Sequence, residues 1–206
     1  MPIITDIKRQ RRVNSNRYNV SVDGAYAFTL SDLDLSMSGL RVGQELEVAD
    51  VERFAQKASE AKAYGLALRF LGVRLRSRRE LLDYLDRKGC EREESEAALE
   101  RLEGLGLVDD ERFADAWIAD RQAVRPRSKL RLGQELAAKG IAREVVDVAL
   151  RKLEPEEEVG TLKALIRRKQ KLPAYKDERK LVAYLQRQGY RWGLIKEALG
   201  DLGEVD

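Results

Sequence analysis

Histidine is absent from the 206 residues, and cysteine occurs once, at Cys90. The first absence removes Ser-His-Asp and Cys-His catalysis, imidazole proton relays and every zinc site that uses histidine. The second removes intramolecular disulfides and four-cysteine metal sites, and it fits a reducing compartment, by default the cytoplasm. No apolar run approaches the ~18 residues of a membrane span. The N-terminus, Met1-Pro2-Ile3-Ile4 with charges from Asp6, has no signal-peptide core, so the chain is expected to stay where it is made. No GxxxxGK[ST] or GxGxxG occurs, so neither a nucleotide site nor any other cofactor is signalled.

What is present is charge on an apolar frame. Charged residues make up 36% of the chain and hydrophobic ones 43%, against a usual charged share of ~25%. The totals are 39 basic and 36 acidic residues, a net charge of +3, so any electrostatic function must come from where the charges sit. The length suits one large domain or two small ones with a real core.

Residues 3–30 carry a period of two: Ile3, Thr5 and Ile7, then Tyr18, Val20 and Val22, then Tyr26, Phe28 and Leu30. Asp23-Gly24 between the last two runs predicts a hairpin, because a type I′ turn needs positive φ at both central residues. A sheet this small is marginal alone and should pack on the next part of the chain. Gly39 and Gly43 then break the chain, and Asp50 is a candidate N-cap for a short helix carrying Val51 and Phe54.

From Ser59 the period becomes helical, and an internal repeat emerges. Residues 77–102 align without a gap to 128–153 and to 177–202, with six columns identical in all three copies. These are Leu81/Leu132/Leu181, Leu85/Leu136/Leu185, Gly89/Gly140/Gly189, Ala98/Ala149/Ala198, Leu99/Leu150/Leu199 and Leu102/Leu153/Leu202. Each copy predicts a helix, a glycine stop and a second helix. Ser77 with Glu80 forms a capping box, Ser128 and Asp177 are good N-caps, and each glycine sits where a left-handed residue ends a helix. A further helix precedes each copy, carried by Ala63, Ala67 and Phe70, by Phe113, Ala116 and Trp117, and by Val159, Leu162 and Ile166. The expected fold is therefore mainly α: three tandem three-helix repeats in an elongated, curved array, with a small N-terminal antiparallel β region. The expected boundaries are 1–56 for the β region and short helix, then 57–107, 108–154 and 155–206 for the repeats.

Basic residues recur with the repeat. Arg69, Arg74, Arg76, Arg78 and Arg79 share a window without an acid, and Arg121, Arg125, Arg127, Lys129 and Arg131 fill the matching window of the second copy. The third copy has Lys163, Arg167, Arg168, Lys169 and Lys171, somewhat earlier. Residues 91–115, by contrast, hold ten acids and three bases. A single charge run is usually a solvated face. Recurrence in register favours instead a basic stripe complementary to phosphates or to an acidic protein groove. Its expected members are Arg74, Arg76, Arg78, Arg79, Arg125, Arg127, Lys129, Arg131, Arg167, Arg168 and Lys169. Lys8, Arg9, Arg11, Arg12 and Arg17 either extend it or form a flexible basic arm.

Other constellations have plainer readings. A recognition helix in a DNA major groove needs donors, yet Gly89 is followed by Cys90, Glu91, Arg92, Glu93 and Glu94, so sequence-specific duplex reading is not expected. Asp109-Asp110-Glu111 suits a helix start, with acids at the positive end of the dipole, better than a metal site. Glu154-Pro155-Glu156 is a second such start. Trp117 and Trp192 are expected in the core rather than stacked on bases. Cys90, replaced by Ile141 and Tyr190 in the other copies, is expected to be an apolar packing position. No catalytic or metal residue is assigned.

Three separated stretches then carry a resemblance: Arg69 to Gly89 (RFLGVRLRSRRELLDYLDRKG), Gly104 to Arg121 (GLGLVDDERFADAWIADR) and Leu132 to Ile141 (LGQELAAKGI). With RYNVSVDGAYAFTL and GLRVGQEL near the N-terminus, in that order and spacing, the chain resembles the bacterial regulatory protein RecX family over its whole length. The resemblance implies tandem three-helix modules, no enzymatic activity, and binding within the groove of the RecA filament. It further implies modulation, usually inhibition, of RecA ATPase, strand exchange and coprotease functions in recombination, DNA repair and the SOS response. Many members of the family also bind DNA. The implied partners are thus the RecA filament and single- or double-stranded DNA without sequence preference; no membrane partner is expected, and the chain is expected to be a monomer. The alternative is a nonspecific DNA-binding repeat protein that acts by competition for DNA.

Overall fold

The computed structural model describes residues 1–11, 16–124 and 127–203. Its three strands, β1 (Ile4–Arg9), β2 (Arg17–Val22) and β3 (Ala25–Ser31), form one antiparallel sheet in chain order. The expected hairpin is present. Asp23 has φ 49° and Gly24 φ 81°, and strand pairing runs from Val22 with Ala25 to Arg17 with Ser31. The inward face carries Ile4, Val20, Val22, Phe28 and Leu30, closed by Leu40, Leu46 and Ala58.

Two elements near this sheet differ from the sequence expectation. A helix, α1 (Asp32–Ser38), follows β3 directly, capped by Ser31, whose Oγ accepts the Asp34 N–H at 3.1 Å, and stopped by left-handed Gly39. Further on, the expected short helix from Asp50 and the helix carrying Ala63, Ala67 and Phe70 are one continuous helix, α2 (Val48–Leu71), of 24 residues with N-cap Glu47. Asp50 is in its first turn, paired with Arg53 at 2.7 Å. No glycine or proline stands between residues 48 and 64 to stop it, and the end expected near residue 56 falls mid-helix. Its buried residues are all alanine, Ala58, Ala63 and Ala67, which leaves room for close packing.

The remaining helices follow the repeat: α3 (Arg78–Arg87), α4 (Arg92–Gly104), α5 (Asp110–Val124), α6 (Lys129–Ala138), α7 (Arg143–Arg151), α8 (Pro155–Gln170), α9 (Glu178–Arg187) and α10 (Trp192–Gly203), with a 3-10 turn at Pro173–Tyr175. Leu81, Leu85, Leu132, Leu136, Leu181 and Leu185 are at most 1% exposed, each worth roughly 1.5–3 kcal/mol of burial. Gly89, Gly140 and Gly189 have φ of 69°, 79° and 87°, a region that side-chain-bearing residues avoid. The next N–H returns to the helix in every copy: Cys90 to Leu85 O, Ile141 to Leu136 O and Tyr190 to Leu185 O, at 3.1–3.2 Å. Those three residues are buried, the apolar contact that accompanies this helix stop. Cys90 is thus a packing position, as its column predicts.

The chain divides into two compact units. One comprises residues 1–74 with 81–107, holding the sheet and helices α1, α2 and α4 with most of α3. The other comprises residues 75–80 with 108–206, so the first turn of α3 belongs with the second and third modules. Among the described residues no helix is long and apolar enough to cross a membrane.

Candidate functional site

The basic windows surround the starts of α3 and α6, and there the second unit contains the same clasp twice. Ser77 and Ser128, both fully buried, each accept an N–H three residues ahead, from Glu80 and from Arg131, both at 3.2 Å. Each also donates its hydroxyl hydrogen to a carbonyl ending the second helix of the following module: Ser77 to Lys139 O at 2.7 Å, Ser128 to Gln188 O at 2.8 Å. The following residue adds a second link. Arg78 N–H donates to Asp110 Oδ1, and Lys129 N–H to Glu158 Oε1, both at 2.9 Å. A hydroxyl accepts and donates at once from a single atom.

Glycine completes the clasp from the other side. A Cβ on Gly140 would overlap the Arg79 side chain, and one on Gly189 would lie 2.7 Å from Ser128 Oγ. Gly89, equally left-handed, has nothing within 4 Å of that position. Asp177, in the same column as the two serines, is exposed and only accepts, from Arg179 N at 2.9 Å.

This frame places the expected cations. Arg76 and Arg78 are half-buried and Arg79 packs along Gly140. Arg74, exposed, belongs to the first unit. Arg127 donates Nη1–H to Gln188 Oε1 at 3.2 Å, and Lys129 donates its Nζ to Leu153 O at 2.5 Å. Arg127 and Arg131 each bring Nε to 3.9 Å from Glu135 Oε1. Arg167 and Arg168 are exposed in the last turn of α8, while Lys169 lies over the rings of Tyr175 and Tyr184 at 5.1 and 4.5 Å. Arg125 and Arg12 fall outside the described residues. Lys8 and Arg9 are in β1 and Arg17 opens β2, so these three are strand residues rather than a flexible arm. Lys8 pairs with Asp6 at 2.5 Å, Arg9 donates to Asn16 Oδ1 at 2.9 Å, and Arg11 is exposed.

Charge counting did not reveal the group that organises the second cluster. Glu135 accepts Arg121 Nε–H at 2.9 Å and the Trp117 indole N–H at 3.2 Å. Arg121 lies 4.0 Å over the Trp117 ring, and Lys139 stands 5.1 Å from it while pairing with Glu80 at 2.6 Å. One chain of contacts therefore joins the start of α3 to the second cluster. Its signal in the sequence is the spacing Arg131, Glu135, Lys139, three residues at steps of four on one helical face. Trp117 is packed, with Phe113 stacked on it at 5.8 Å. Trp192, expected in the core, is 55% exposed. Its column partners, Arg92 and Arg143, are exposed as well, and that column was the available signal.

The acids at helix starts serve the fold. Asp109 Oδ1 accepts the Arg112 N–H at 3.0 Å as a cap, and Asp110 holds Arg78. Burial pushes the Asp110 carboxyl up from its ordinary value, against the Arg78 hydrogen bond and charge. Burial likewise raises the Cys90 thiol, and raises the Tyr190 hydroxyl to about 12. Neither the raised thiol nor the raised phenol is poised as a nucleophile or base at neutral pH.

Family models match residues 2–47 (regulatory protein RecX N-terminal domain), 63–102, 109–150 and 156–199 (RecX first, second and third three-helix domains). Regulatory protein RecX of Halalkalibacterium halodurans is 34% identical over 98% of this chain and 79% of its own length. That of Levilactobacillus brevis is 34% identical over 98% and 77%. A crystal structure of regulatory protein RecX superposes with a TM-score of 0.71 at 27% identity, covering 96% of this chain and all of that one. RecX from Lactobacillus salivarius gives 0.65 over 70% of this chain and 97% of that one, and at 19% identity it speaks for the fold alone.

Proposed function

The chain belongs to the RecX family of regulatory proteins, and we propose that it binds the RecA–DNA filament and lowers RecA ATPase, strand exchange and coprotease activity. Regulation here needs no catalytic step from this chain. What supports the reading beyond family membership is the clasp. It holds the backbone at Arg78 and at Lys129, which share one column, in the same geometry, with Arg79 and Arg131 close by in the same helix starts. A preorganised array of this kind recognises an extended polyanion or acidic groove with little ordering cost. The sequence-nonspecific DNA contact and the monomeric, cytoplasmic state belong to the same proposal.

The test is the single-stranded-DNA-dependent ATPase rate of RecA as the protein is titrated in from well below one copy per RecA. A fall at substoichiometric amounts is the expected result. A fall only at amounts that coat the DNA would favour the competing DNA binder, and no effect at any ratio would overturn both. Reversing Arg167 and Arg168 to glutamate should weaken filament binding and flatten its salt dependence, because each lost phosphate contact lowers the slope of log affinity against log salt.

A further inference from the structure

Helices α6 and α7 and the turn into α10 enclose an open groove of about 1180 Å³ within the second unit. Its origin is legible in the repeat: Gly133 stands in α6 where the other copies carry Leu82 and Val182, so this face lacks one side chain. A glycine inside a helix costs about 1 kcal/mol relative to alanine. A Cβ there would meet Leu150 Cδ1 at 3.4 Å and Val146 Cγ1 at 3.6 Å, ordinary contact, so packing alone does not require glycine.

The floor is apolar, built from Ala137, Val146, Leu150 and Leu194, with Leu130 still 57% exposed at its edge. The rim is cationic. Its two acids are occupied, Asp147 facing Arg143 Nε at 3.8 Å and Glu158 accepting the Lys129 N–H. The guanidinium groups of Arg151 and Arg191, both exposed, have no hydrogen-bond or ion-pair partner among the described residues.

We propose that this groove docks an acidic amphipathic α-helix of a partner protein, its apolar face on Leu130, Val146, Leu150 and Leu194 and its carboxylates on Arg151 and Arg191. The volume suits roughly three turns of a helix taken as a cylinder about 10 Å across. Among the described residues no aromatic side chain lines the groove, as a polyproline ligand would need, and no strand edge borders it for an added strand; an apolar floor between two helices under a cationic rim favours the helix-in-groove mode. Net positive charge at the rim selects acid over base in the occupant. The inference stands apart from the regulatory reading, since it rests on the groove and not on any effect on RecA.

The test uses the full chain and two labelled helical peptides of about 15 residues that share one leucine face, one flanked by glutamates and one by lysines, with fluorescence anisotropy as the readout. The glutamate peptide should bind at least about tenfold tighter, and amide NMR shifts should cluster on α6, α7 and the start of α10. Leu130→Asp, at an exposed position, should weaken it about tenfold or more, and the pair Arg151→Glu with Arg191→Glu should reverse the preference between peptides. Equal affinities, no binding, indifference to Leu130→Asp, or a single-stranded oligonucleotide shifting the same amides would each overturn the proposal.

Discussion

The clasps at Ser77 and Ser128 share their hydrogen bonds but not their charges. At the first, Glu80 pairs with Lys139. At the second, the same columns hold Arg131 and Gln188, and Arg127 reaches the glutamine. In both, a buried hydroxyl donates to a helix-end carbonyl, the following N–H meets a carboxylate, and a left-handed glycine allows the approach. The elements that recur are those with no substitute: a donor–acceptor side chain and a residue without Cβ. The ionic pairs are interchangeable, as expected where part of each charge remains in water. The third copy has Asp177, which cannot donate, and there the column only caps a helix.

The sharpest way to break this equivalence is to exchange the residues of the column. Ser128→Asp would set a buried carboxylate against the Gln188 carbonyl and lose the donated hydrogen, at an expected cost of about 3–4 kcal/mol. Asp177→Ser, keeping a local cap in water, should change stability by less than about 0.5 kcal/mol. Urea unfolding of the two variants measures both. Similar losses would mean that the column acts only through N-capping.

The glycine column gives the next largest contrast. Gly189→Ala must adopt the left-handed region and also displace Ser128, so about 2–3 kcal/mol is expected. Gly89→Ala has the same backbone demand with open space around it and should cost about 1 kcal/mol. Equal losses in denaturant unfolding would show that backbone strain alone governs the column.

This contrast also marks what the sequence could disclose. The three-copy register, the positive-φ glycines, the caps at Ser128, Asp109 and Asp177 and the Asp23-Gly24 hairpin are local, set by backbone chemistry within a few residues, and all were legible. So was the burial of the leucine columns, since period and repetition agree. The continuity of α2 was not, because its inward face is alanine and gives no apolar stripe to follow. Nor was α1, whose only signal is Ser31 three residues before Asp34. At the candidate site the basic residues were visible in number, but Glu135, which gathers Arg121, Arg127 and Arg131, was not. Which acid sits among which bases depends on contacts between α5 and α6 rather than on spacing alone.

A smaller effect tests the interchangeable layer. Lys139→Met removes the partner of Glu80 at a site where the lysine side chain is 29% exposed, and a loss of about 0.5–1 kcal/mol is expected. Salt should narrow the difference between variant and parent, because a partly solvated pair is screened. A loss as large as that of Ser77→Ala, which removes both a cap and a buried donor at an expected cost of about 2 kcal/mol, would place the ion pair in the essential part of the clasp.

The smallest expected effect separates the clasps by pH. At the first, the acceptor is Asp110, half-buried beside Asp109, and burial raises its carboxyl above the ordinary value. The folded chain therefore holds that proton more tightly than the unfolded chain does. Over the window between the two values the native state binds more protons, so this group's contribution to stability falls as pH rises through it and stays lowered above it. Asp110→Asn keeps an Oδ1 acceptor for the Arg78 N–H and removes the charge. Relative to the parent, the variant should gain stability as pH rises from about 3 to 6, with the difference level at higher pH. Thermal unfolding of both proteins across that range reads the difference directly. A difference that shrinks with rising pH would mean that the Arg78 charge and hydrogen bond outweigh desolvation, and that the aspartate strengthens the first clasp as an anion rather than as a mere acceptor.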